Sequence, residues 1–369
     1  MDSTSFFSLK KSIVFLWFVI VFVADHSLAN AQGNRNREIK LGAYYFDGWT
    51  GRYTQHISPK LMNSFAERKP KWGWITSSQK IVDQQILAAS GAGLSFFSFC
   101  WYYSGKDKYK GEPLNNALKF FQKSAYTGKM QYCLMVANHK GFEIGKEDWA
   151  IVQAEWIRQF KTAGYLKVDD KPLLILFSVQ SLIDNLGSVD SVRSAFRTLK
   201  TAAISSGLNG VTIAACVSGD KRSISQAEEC GFDILTGYNE HNAGLASKTT
   251  QQIPIDSMQA AEKRLWSRVV KTSHLNYIPV STLNWDPRPW SAPNNKYDTA
   301  PYFVGYSEKS VYKSVSGMVS WMGKHAAQIT HEKIGILYAW NENGEGAYLT
   351  PSVKGPDFLR GLQKALNNN

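Results

Sequence analysis

Cysteine and familiar catalytic motifs are scarce in this sequence. It has no glycine-rich phosphate loop, nucleophile elbow or HExxH helix, which excludes the usual patterns of nucleotide-binding proteins, serine esterases and zinc proteases. The four cysteines have a spacing that fits no zinc motif, and we expect neither a metal nor a cofactor. Three of them lie inside apolar runs, so buried thiols on neighbouring strands are favoured over a disulfide. The cysteines are Cys100, Cys133, Cys216 and Cys230.

Acidic residues are fewer than basic ones: the sequence has 30 Asp and Glu against 42 Lys and Arg, which gives a formal net charge of +12. The lysines are spread along the chain rather than gathered in a tail. A basic surface favours anionic polymers in general. However, no arginine-rich run, zinc-finger spacing or RNA-binding aromatic motif accompanies the charge, so we expect no nucleic-acid partner.

A long apolar run occurs only near the start of the chain. Lys10 and Lys11 precede the apolar residues 12–24, and Ala29-Asn30-Ala31 fits an A-x-A cleavage site. The run is about 13 residues long, short of the roughly 20 that a membrane-spanning helix needs. We therefore predict a signal peptide over residues 1–31, cleavage after Ala31, and a secreted or periplasmic protein without stable membrane insertion.

Short apolar runs alternate with segments of helical periodicity through the rest of the chain, which is the pattern of repeated βα units. Near-continuous apolar strands are typical of a parallel sheet that is covered on both faces. We predict an α/β fold in which residues 32–369 form a single-domain (β/α)8 TIM barrel. An open doubly wound sheet is the alternative, without a glycine-rich first turn to favour it. The predicted strands are 39–46, 94–101, 130–136, 172–178, 210–217, 232–238, 277–283 and 333–340. The predicted helices are 77–90, 113–125, 147–163, 188–206, 223–230, 257–273, 310–328 and 356–366.

In a barrel of this kind the functional residues lie just past the strands. Trp and Tyr gather there beside carboxylates, Asn, His and Arg. Such a lining suits sugars, because aromatic rings pack on the C–H faces of a sugar while polar groups bond its hydroxyls. The predicted substrate-binding residues are Tyr45, Asp47, Trp49, Trp101, Tyr102, Asn138, His139, Tyr238, Asn239, Glu240, Asp286, Arg288, Trp290, Trp340 and Asn341.

The last predicted strand runs into "WNENGEG", residues 340–346, which places Glu342 and Glu345 three residues apart. Glycoside cleavage ordinarily uses two carboxyl groups, roughly 5–5.5 Å apart in retaining enzymes and 6.5–9.5 Å apart in inverting ones. Residues three apart face the same side if the loop coils into a helical turn. We therefore interpret the pair as catalytic. The alternative is two solvated loop acids, or one acid that caps the following turn.

Three other predicted sites have structural alternatives. Asp286 and Arg288 could orient substrate hydroxyls, or simply pair with each other in a loop that two prolines fix. Glu240 is a reserve acid, and Asn138 with His139 is a hydroxyl-binding pair; solvated loops are the alternative for both.

The sequence resembles the glycoside hydrolase family 99-like, or WbsX-like, proteins, whose barrels end in a tract of the form Trp-Asn-Glu-x-x-Glu-Gly. Residues 340–346 have this form, and residues 43–49, 95–103, 165–177 and 284–290 are similar in the same order along the chain. The resemblance implies a (β/α)8 glycosidase, with retaining endo-acting enzymes on α-mannosides as the characterised members. By position, it implies that Glu342 is a base acting on the 2-hydroxyl of the sugar and that Glu345 is the acid and later the base. Here Asn343-Gly344 separates the acids, where those enzymes usually have an aromatic residue and a histidine.

The leading hypothesis is thus an exported O-glycosyl hydrolase that cleaves a polysaccharide or oligosaccharide. One rival is a carbohydrate-binding barrel that has lost catalysis. Another is a WbsX-like enzyme of polysaccharide assembly, which the signal peptide disfavours because cytosolic sugar nucleotides would be out of reach.

Overall fold

All eight predicted strands are present, and each is parallel to its neighbours. The computed structural model describes residues 39–245 and 250–368, so the predicted signal peptide and its cleavage site lie outside the described residues. The barrel strands, β1 to β8 in chain order, are Lys40–Tyr45, Phe96–Trp101, Gln131–Val136, Lys171–Leu176, Thr212–Cys216, Ile234–Thr236, the two pieces Asn276–Tyr277 and Val280–Thr282, and Ile334–Tyr338.

The sheet closes through β7, which is split in two. Its first piece pairs with β6 and its second piece pairs with β8, both in parallel. Strand β1 pairs with β2 on one side and with β8 on the other, and Gly42 is the register partner of both Phe96 and Ile336. Every barrel strand therefore has two parallel neighbours, and the predicted (β/α)8 barrel is confirmed.

Helices connect successive strands and cover the barrel. Eight of them match the predicted segments with small shifts at their ends. Three were not predicted: Pro59–Ser64, Val179–Leu186 and His241–Leu245. In the described residues, helices α1 to α11 are Pro59–Ser64, Gln79–Gly91, Asn116–Lys123, Trp149–Phe160, Val179–Leu186, Val189–Ser205, Lys221–Cys230, His241–Leu245, Asp256–Thr272, Glu308–Lys324 and Phe358–Asn367. None of the helices in these residues is long and apolar enough to cross a membrane.

Shorter elements decorate the barrel. Lys167–Val168 pairs antiparallel with β4, Gln252–Pro254 pairs in parallel with Tyr302–Val304, and Asn341–Glu342 pairs antiparallel with Ala347–Tyr348. The 3-10 helices are Thr54–His56, Ala66–Arg68, Tyr109–Gly111, Pro113–Asn115, Thr127–Lys129, Arg288–Trp290 and Asn343–Glu345.

Side chains alternate between the barrel interior and the layer beneath the helices, as they must along a strand. Tyr44 crosses the interior, because its hydroxyl donates a hydrogen bond to the carbonyl of Gly237, just past β6, at 2.6 Å. The next residue, Tyr45, packs instead on Phe97 and Phe99, with ring centroids at 5.2 and 4.9 Å.

The four cysteines are free thiols, in agreement with the sequence interpretation. Cys100 and Cys133 lie on the neighbouring strands β2 and β3. Cys216 ends β5 and Cys230 ends α7.

Candidate active site

The loop after β8 coils as the spacing of its two acids suggests. Glu342 ends a short strand, the 3-10 turn Asn343–Glu345 follows at once, and Gly346 stops that turn in the left-handed conformation at a φ of 71°. The turn brings Glu342 and Glu345 to the C-terminal end of the barrel, where active sites of this fold lie.

Side chains from two strand ends surround the carboxyl pair. Glu342 is 7% exposed and its Oε1 accepts a hydrogen bond from the Tyr238 hydroxyl at 3.4 Å. Oε2 of Glu345 accepts hydrogen bonds from the hydroxyl of Tyr338 and from Nδ2 of Asn239, the latter at 3.3 Å. The acids are therefore held in a hydrogen-bonded frame and are not solvated loop residues.

This environment makes both carboxyls reluctant to ionise. Burial raises the pKa of Glu342 well above its usual value, and the nearby charge of Glu345 raises it further, against the bond from Tyr238. Burial raises the pKa of Glu345 to about 7, although Tyr338 and Asn239 stabilise its carboxylate. Because each negative charge disfavours the other, the pair retains one proton close to neutral pH.

A cavity of about 500 Å³ opens beside the pair, over the ends of β4 to β8. Its volume lies within the roughly 300–1,000 Å³ typical of small-molecule sites. Glu345 lines it and Glu342 does not. Aromatic residues form much of the wall, namely Phe177, Tyr238, Trp285 and Tyr338.

Two further titratable side chains of the wall are held neutral. Glu240 is 6% exposed, and burial raises its pKa to about 8. Burial lowers the pKa of His241 to about 4, and its ring stacks on Trp285 with centroids 3.9 Å apart. The cavity thus offers a neutral carboxylic acid, a neutral imidazole and an indole face, a combination that suits an uncharged hydroxylated ligand.

Asp286 and Arg288 adopt the structural alternative. Arg288 donates to Asp286 from Nε and Nη2, both at 2.8 Å, and Asp286 is 4% exposed. Arg68 binds the same carboxylate from the other side, and its Nη1 also donates to the carbonyls of Asp286 and Gly344, at 3.1 and 3.3 Å. The two arginines already use the Asp286 carboxylate, which favours the structural role for this residue, and neither Asp286 nor Arg288 lines the cavity. Substrate binding by this pair stays a prediction.

Three predicted aromatic contacts lie away from the cavity. Tyr45, Trp101 and Trp340 are at most 2% exposed and pack between the sheet and the helices. Trp101 contacts Trp156 of α4 at 5.9 Å, and Trp340 donates to Gln85 at 2.7 Å. Strand alternation explains the correction, since a residue at a strand end faces the helices as often as it faces the barrel mouth.

Two other predicted residues, Asn341 and Trp49, fasten the loops after β1 and β8 together, and a third, Asp47, anchors the β1 loop to the segments around Ser77 and Ala117. Asn341 binds the backbone of Phe46 through both its oxygen, at 2.9 Å, and its nitrogen, at 2.6 Å. Trp49 donates to the carbonyl of Asn341 at 2.8 Å. Asp47 is buried, which raises its pKa to about 8, and it accepts a hydrogen bond from Ser77 at 2.9 Å. These side chains position the loop that carries the acids rather than line the cavity.

Asn138 clamps the ends of β3 and β4, because it exchanges two hydrogen bonds with the backbone of Ser178, at 2.8 and 2.9 Å. His139 and Tyr102 pack edge to face at 6.0 Å. Trp290 packs against Gly344, where an added Cβ would approach its ring to 2.6 Å. Of the fifteen residues predicted to bind substrate, Tyr238, Asn239 and Glu240 line the cavity.

The predicted site residues omit several contributors to the site, among them Phe177, His241, Tyr338, Trp285 and Arg68. Tyr338 is the last residue of β8, two positions before the predicted site residue Trp340, so a survey of strand-end residues that reached two positions further back would have found it. Trp285 lies inside the already noted 284–290 tract. Arg68 carries no local signal, because its partners are more than 200 residues away in the sequence.

A possible cation cluster lies at the opposite end of the barrel. Ligand atoms of Asp169, His331 and Glu332, which precede β4 and β8, lie within 4.8 Å of one another. Glu332 Oε1 accepts a hydrogen bond from the backbone nitrogen of Asp169 at 2.9 Å. The cluster is remote from the carboxyl pair, so a metal there would take no part in chemistry at that pair.

The family model described as "Glycosyltransferase WbsX" matches residues 71–361, which is most of the chain. The chain belongs to this family. No curated protein shows a significant sequence match.

Solved structures agree in fold. A glycoside hydrolase-like protein is 15% identical with a TM-score of 0.62, over 90% of this chain and 94% of that one. The GH99 endo-α-mannosidase from Bacteroides thetaiotaomicron is 12% identical with a TM-score of 0.60, over 89% of this chain and 96% of that one. The resemblance to family 99-like and WbsX-like proteins is therefore confirmed, and at these identities the structures establish the fold.

Proposed function

We propose that the protein is an exported glycoside hydrolase that cleaves a polysaccharide or oligosaccharide through Glu342 and Glu345. The observation that carries the proposal is a pair of hydrogen-bonded, largely buried carboxyl groups at the mouth of the barrel, beside an aromatic cavity. Glycosidic cleavage ordinarily uses two carboxyl groups as catalytic groups, one protonated and one ionised. No cofactor is required.

In the empty site, burial and the charge of Glu345 favour the shared proton on Glu342, so the first step begins when this proton moves to Glu345. The Glu342 carboxylate then takes the proton of the sugar's 2-hydroxyl. The 2-oxygen then attacks the anomeric carbon as the bond to the leaving oxygen breaks, and Glu345 protonates that oxygen. The product is a 1,2-anhydro sugar. In the second step, Glu345 removes a proton from water, the water opens the anhydro ring at the anomeric carbon, and Glu342 returns its proton to the 2-oxygen. Two inversions at one carbon give net retention.

The placement of Glu345 supports its role. Glu345 lines the cavity, where a leaving group and then a water molecule would arrive. Its pKa of about 7 matches an acid that must give up a proton and recover it at neutral pH. Glu342 does not line the cavity and is hydrogen-bonded to Tyr238, so its role as the base requires the sugar to reach past the cavity wall.

The endo-α-mannosidase of similar fold suggests an α-mannoside as the first substrate to try. The glycosidic linkage that this protein cleaves could differ from that of the endo-α-mannosidase because of Asn343 and Gly344. The family resemblance implies a bulkier pair at these two positions, but here Trp290 packs directly on Gly344. The smaller pair Asn343-Gly344 would accommodate a glycan that has a different sugar next to the cleaved bond.

The family description raises a second candidate, transfer of a sugar to an acceptor hydroxyl. The cavity disfavours a sugar nucleotide as donor, because none of the described residues that line it is Lys or Arg. A diphosphate group normally requires such cations or a metal. Transfer from a glycan donor to another glycan would use the same two acids and remains compatible with them.

Digestion of a panel of defined glycans, with NMR analysis of the anomeric product, tests the proposal. The wild type should release a retained product, and Glu342→Gln or Glu345→Gln should lower turnover by at least about 100-fold. Glu147→Gln, an exposed glutamate before α4, is the matched control and should be fully active. Unchanged turnover in the two site variants would remove the catalytic assignment. Binding of glycans without product from the wild type would favour a carbohydrate-binding barrel.

A further inference from the structure

A second cavity lies on the outside of the barrel, between α3 and α4. Its volume is about 670 Å³, and it shares no lining residue with the cavity beside Glu345. Trp101, Tyr109, Leu118 and Ile151 form an apolar floor. Nothing in the proposed cleavage reaction uses these residues.

The rim of this cavity is basic. Lys110, Lys119, Lys123 and Arg158 line it, with Glu155 as the one acid among the lining residues. The Glu155 carboxylate is already occupied, because Arg158 donates to it from Nε at 3.1 Å and from Nη2 at 2.5 Å. The three lysines therefore face the cavity without a carboxylate partner in its wall.

Of the three lysines, Lys119 has the ammonium group that a bound anion would stabilise most. It is half-buried, and its ammonium donates to the carbonyl of Lys110 at 2.7 Å. Burial lowers the pKa of Lys119, Glu112 and Glu155 oppose this, and the charge of Lys123 lowers it further. Glu112 stands behind the wall and is itself occupied, since it accepts a hydrogen bond from the Tyr53 hydroxyl at 2.7 Å. A bound anion would stabilise the partly desolvated ammonium.

The floor of the cavity would contact the uncharged part of a ligand. Trp101 and Tyr109 lie with ring centroids 6.3 Å apart, and the ammonium of Lys110 lies 6.0 Å above the Tyr109 ring. Trp101 and Tyr109 are 2% and 7% exposed and close the bottom of the cavity, while half-buried Ile151 offers accessible apolar surface. An apolar floor beneath a cationic rim matches a sugar ring that carries a negative group, since its C–H face packs on the floor and the charged group reaches the rim. The volume is adequate for a ligand of that size.

We propose that this cavity is an accessory binding site for an acidic sugar unit, recognised through a uronate carboxylate or a sulfate ester. It would hold a charged part of the glycan while an uncharged part occupies the cavity beside Glu345. The proposal rests on the proposed function only for the choice of a glycan as the ligand. The strong positive charge of the whole chain, +12, would assist the approach of such a polymer.

Calorimetric titration with three defined oligosaccharides tests the site: an oligogalacturonate, a chondroitin sulfate oligosaccharide and a neutral manno-oligosaccharide. The first two distinguish carboxylate from sulfate. We expect the wild type to bind at least one acidic probe, and Lys119→Ala with Lys123→Ala to weaken that binding by about tenfold or more. Added salt should weaken it as well. Affinity for the neutral probe should not change.

Lys309→Ala with Lys354→Ala, which removes two exposed lysines elsewhere on the surface, is the matched control for loss of two charges. Equal weakening in this control would show that net charge alone attracts the probes and would overturn the site, as would failure of both acidic probes to bind. The double change Lys119→Arg with Lys123→Arg keeps both charges and should retain binding. Titration of Glu345→Gln separates this inference from the cleavage proposal, because acidic probes should bind that variant whether or not the wild type cleaves glycans.

Discussion

The phenolic hydroxyl of Tyr338, the last residue of β8, donates a hydrogen bond to Glu345, seven residues further along the chain. Asn239, just past β6, donates to the same carboxylate oxygen at 3.3 Å. Both bonds favour the ionised carboxylate, and burial opposes them. Two strand ends on the barrel rim thus set the proton affinity of the acid.

Replacement of Tyr338 by Phe should move the pH profile of cleavage. Removing a donor to the carboxylate raises the pKa of Glu345, which starts at about 7, and Glu345 must be protonated to act as the acid. The alkaline limb of kcat should therefore shift to higher pH, by about one pH unit. Tyr306→Phe is the control, because the Tyr306 hydroxyl donates to the carbonyl of Tyr348, away from the carboxyl pair. A shift to lower pH, or the same shift in both variants, would contradict the assigned role.

Glu240 should make the protein less stable as the pH rises. Its pKa is about 8 in the folded protein against 4.5 for an exposed glutamate, so between these values the folded state keeps a proton that the unfolded state has lost. Stability from this group is complete below pH 4.5 and is lost as the pH rises through 8. Glu240→Gln cannot titrate, so the wild type should lose up to about 4 kcal/mol relative to this variant between pH 5 and pH 8.

Urea denaturation of the wild type and Glu240→Gln at several pH values measures this difference. Other buried acids are present in both proteins, so their contributions cancel in the comparison except for Glu262, whose pKa is raised by the charge of Glu240. Glu147→Gln should follow the wild type at every pH, because Glu147 is exposed. A gap that stayed constant with pH would mean that Glu240 is not neutral in the folded protein.

Replacing Arg68 should reduce the free energy of unfolding more than replacing an exposed arginine does. It is 5% exposed and binds both the carboxylate and the carbonyl of Asp286. Arg68→Met leaves the buried carboxylate with Arg288 alone, and breaking a buried pair costs about 3–5 kcal/mol. The free energy of unfolding should fall by about this amount, against no measurable change for Arg197→Met, an exposed arginine on α6. Equal effects in the two variants would show that the Arg68 pair contributes nothing specific.

The barrel could be read from the sequence because each of its strands is a buried apolar run that ends at a loop. A buried apolar run predicts a strand from its own residues, without knowledge of which distant residues it contacts. The helix Val179–Leu186 was missed because its eight residues follow β4 at once, where a loop is equally plausible. Its start depends on Ser178, which accepts a hydrogen bond from the backbone of Ser181 at 3.1 Å.

The site was harder to predict than the fold. The spacing of Glu342 and Glu345 indicated a turn, and the turn is there. By contrast, Trp340 and Asn341 were grouped with the acids as ligand contacts, yet their polar atoms bind Gln85 and Phe46. A motif shows which residues stand together along the chain, but only the distant partner decides whether a side chain binds a ligand or braces a loop.

Gly344 should tolerate no side chain, because a Cβ there would lie 2.6 Å from the ring of Trp290. The two residues lie in the loops after β8 and β7, so Gly344→Ala would push these loops apart and displace the turn that carries Glu345. Crowding of this kind costs about 1–3 kcal/mol, and turnover should fall by more than the loss of folded protein explains. Gly128→Ala is the matched control, since no atom lies within 4 Å of an added Cβ there. Combining Gly344→Ala with Trp290→Leu removes the overlap and should restore part of the lost stability. If the double variant were no more stable than Gly344→Ala alone, contact between the two loops at this point would not be what holds the acid-bearing turn in place.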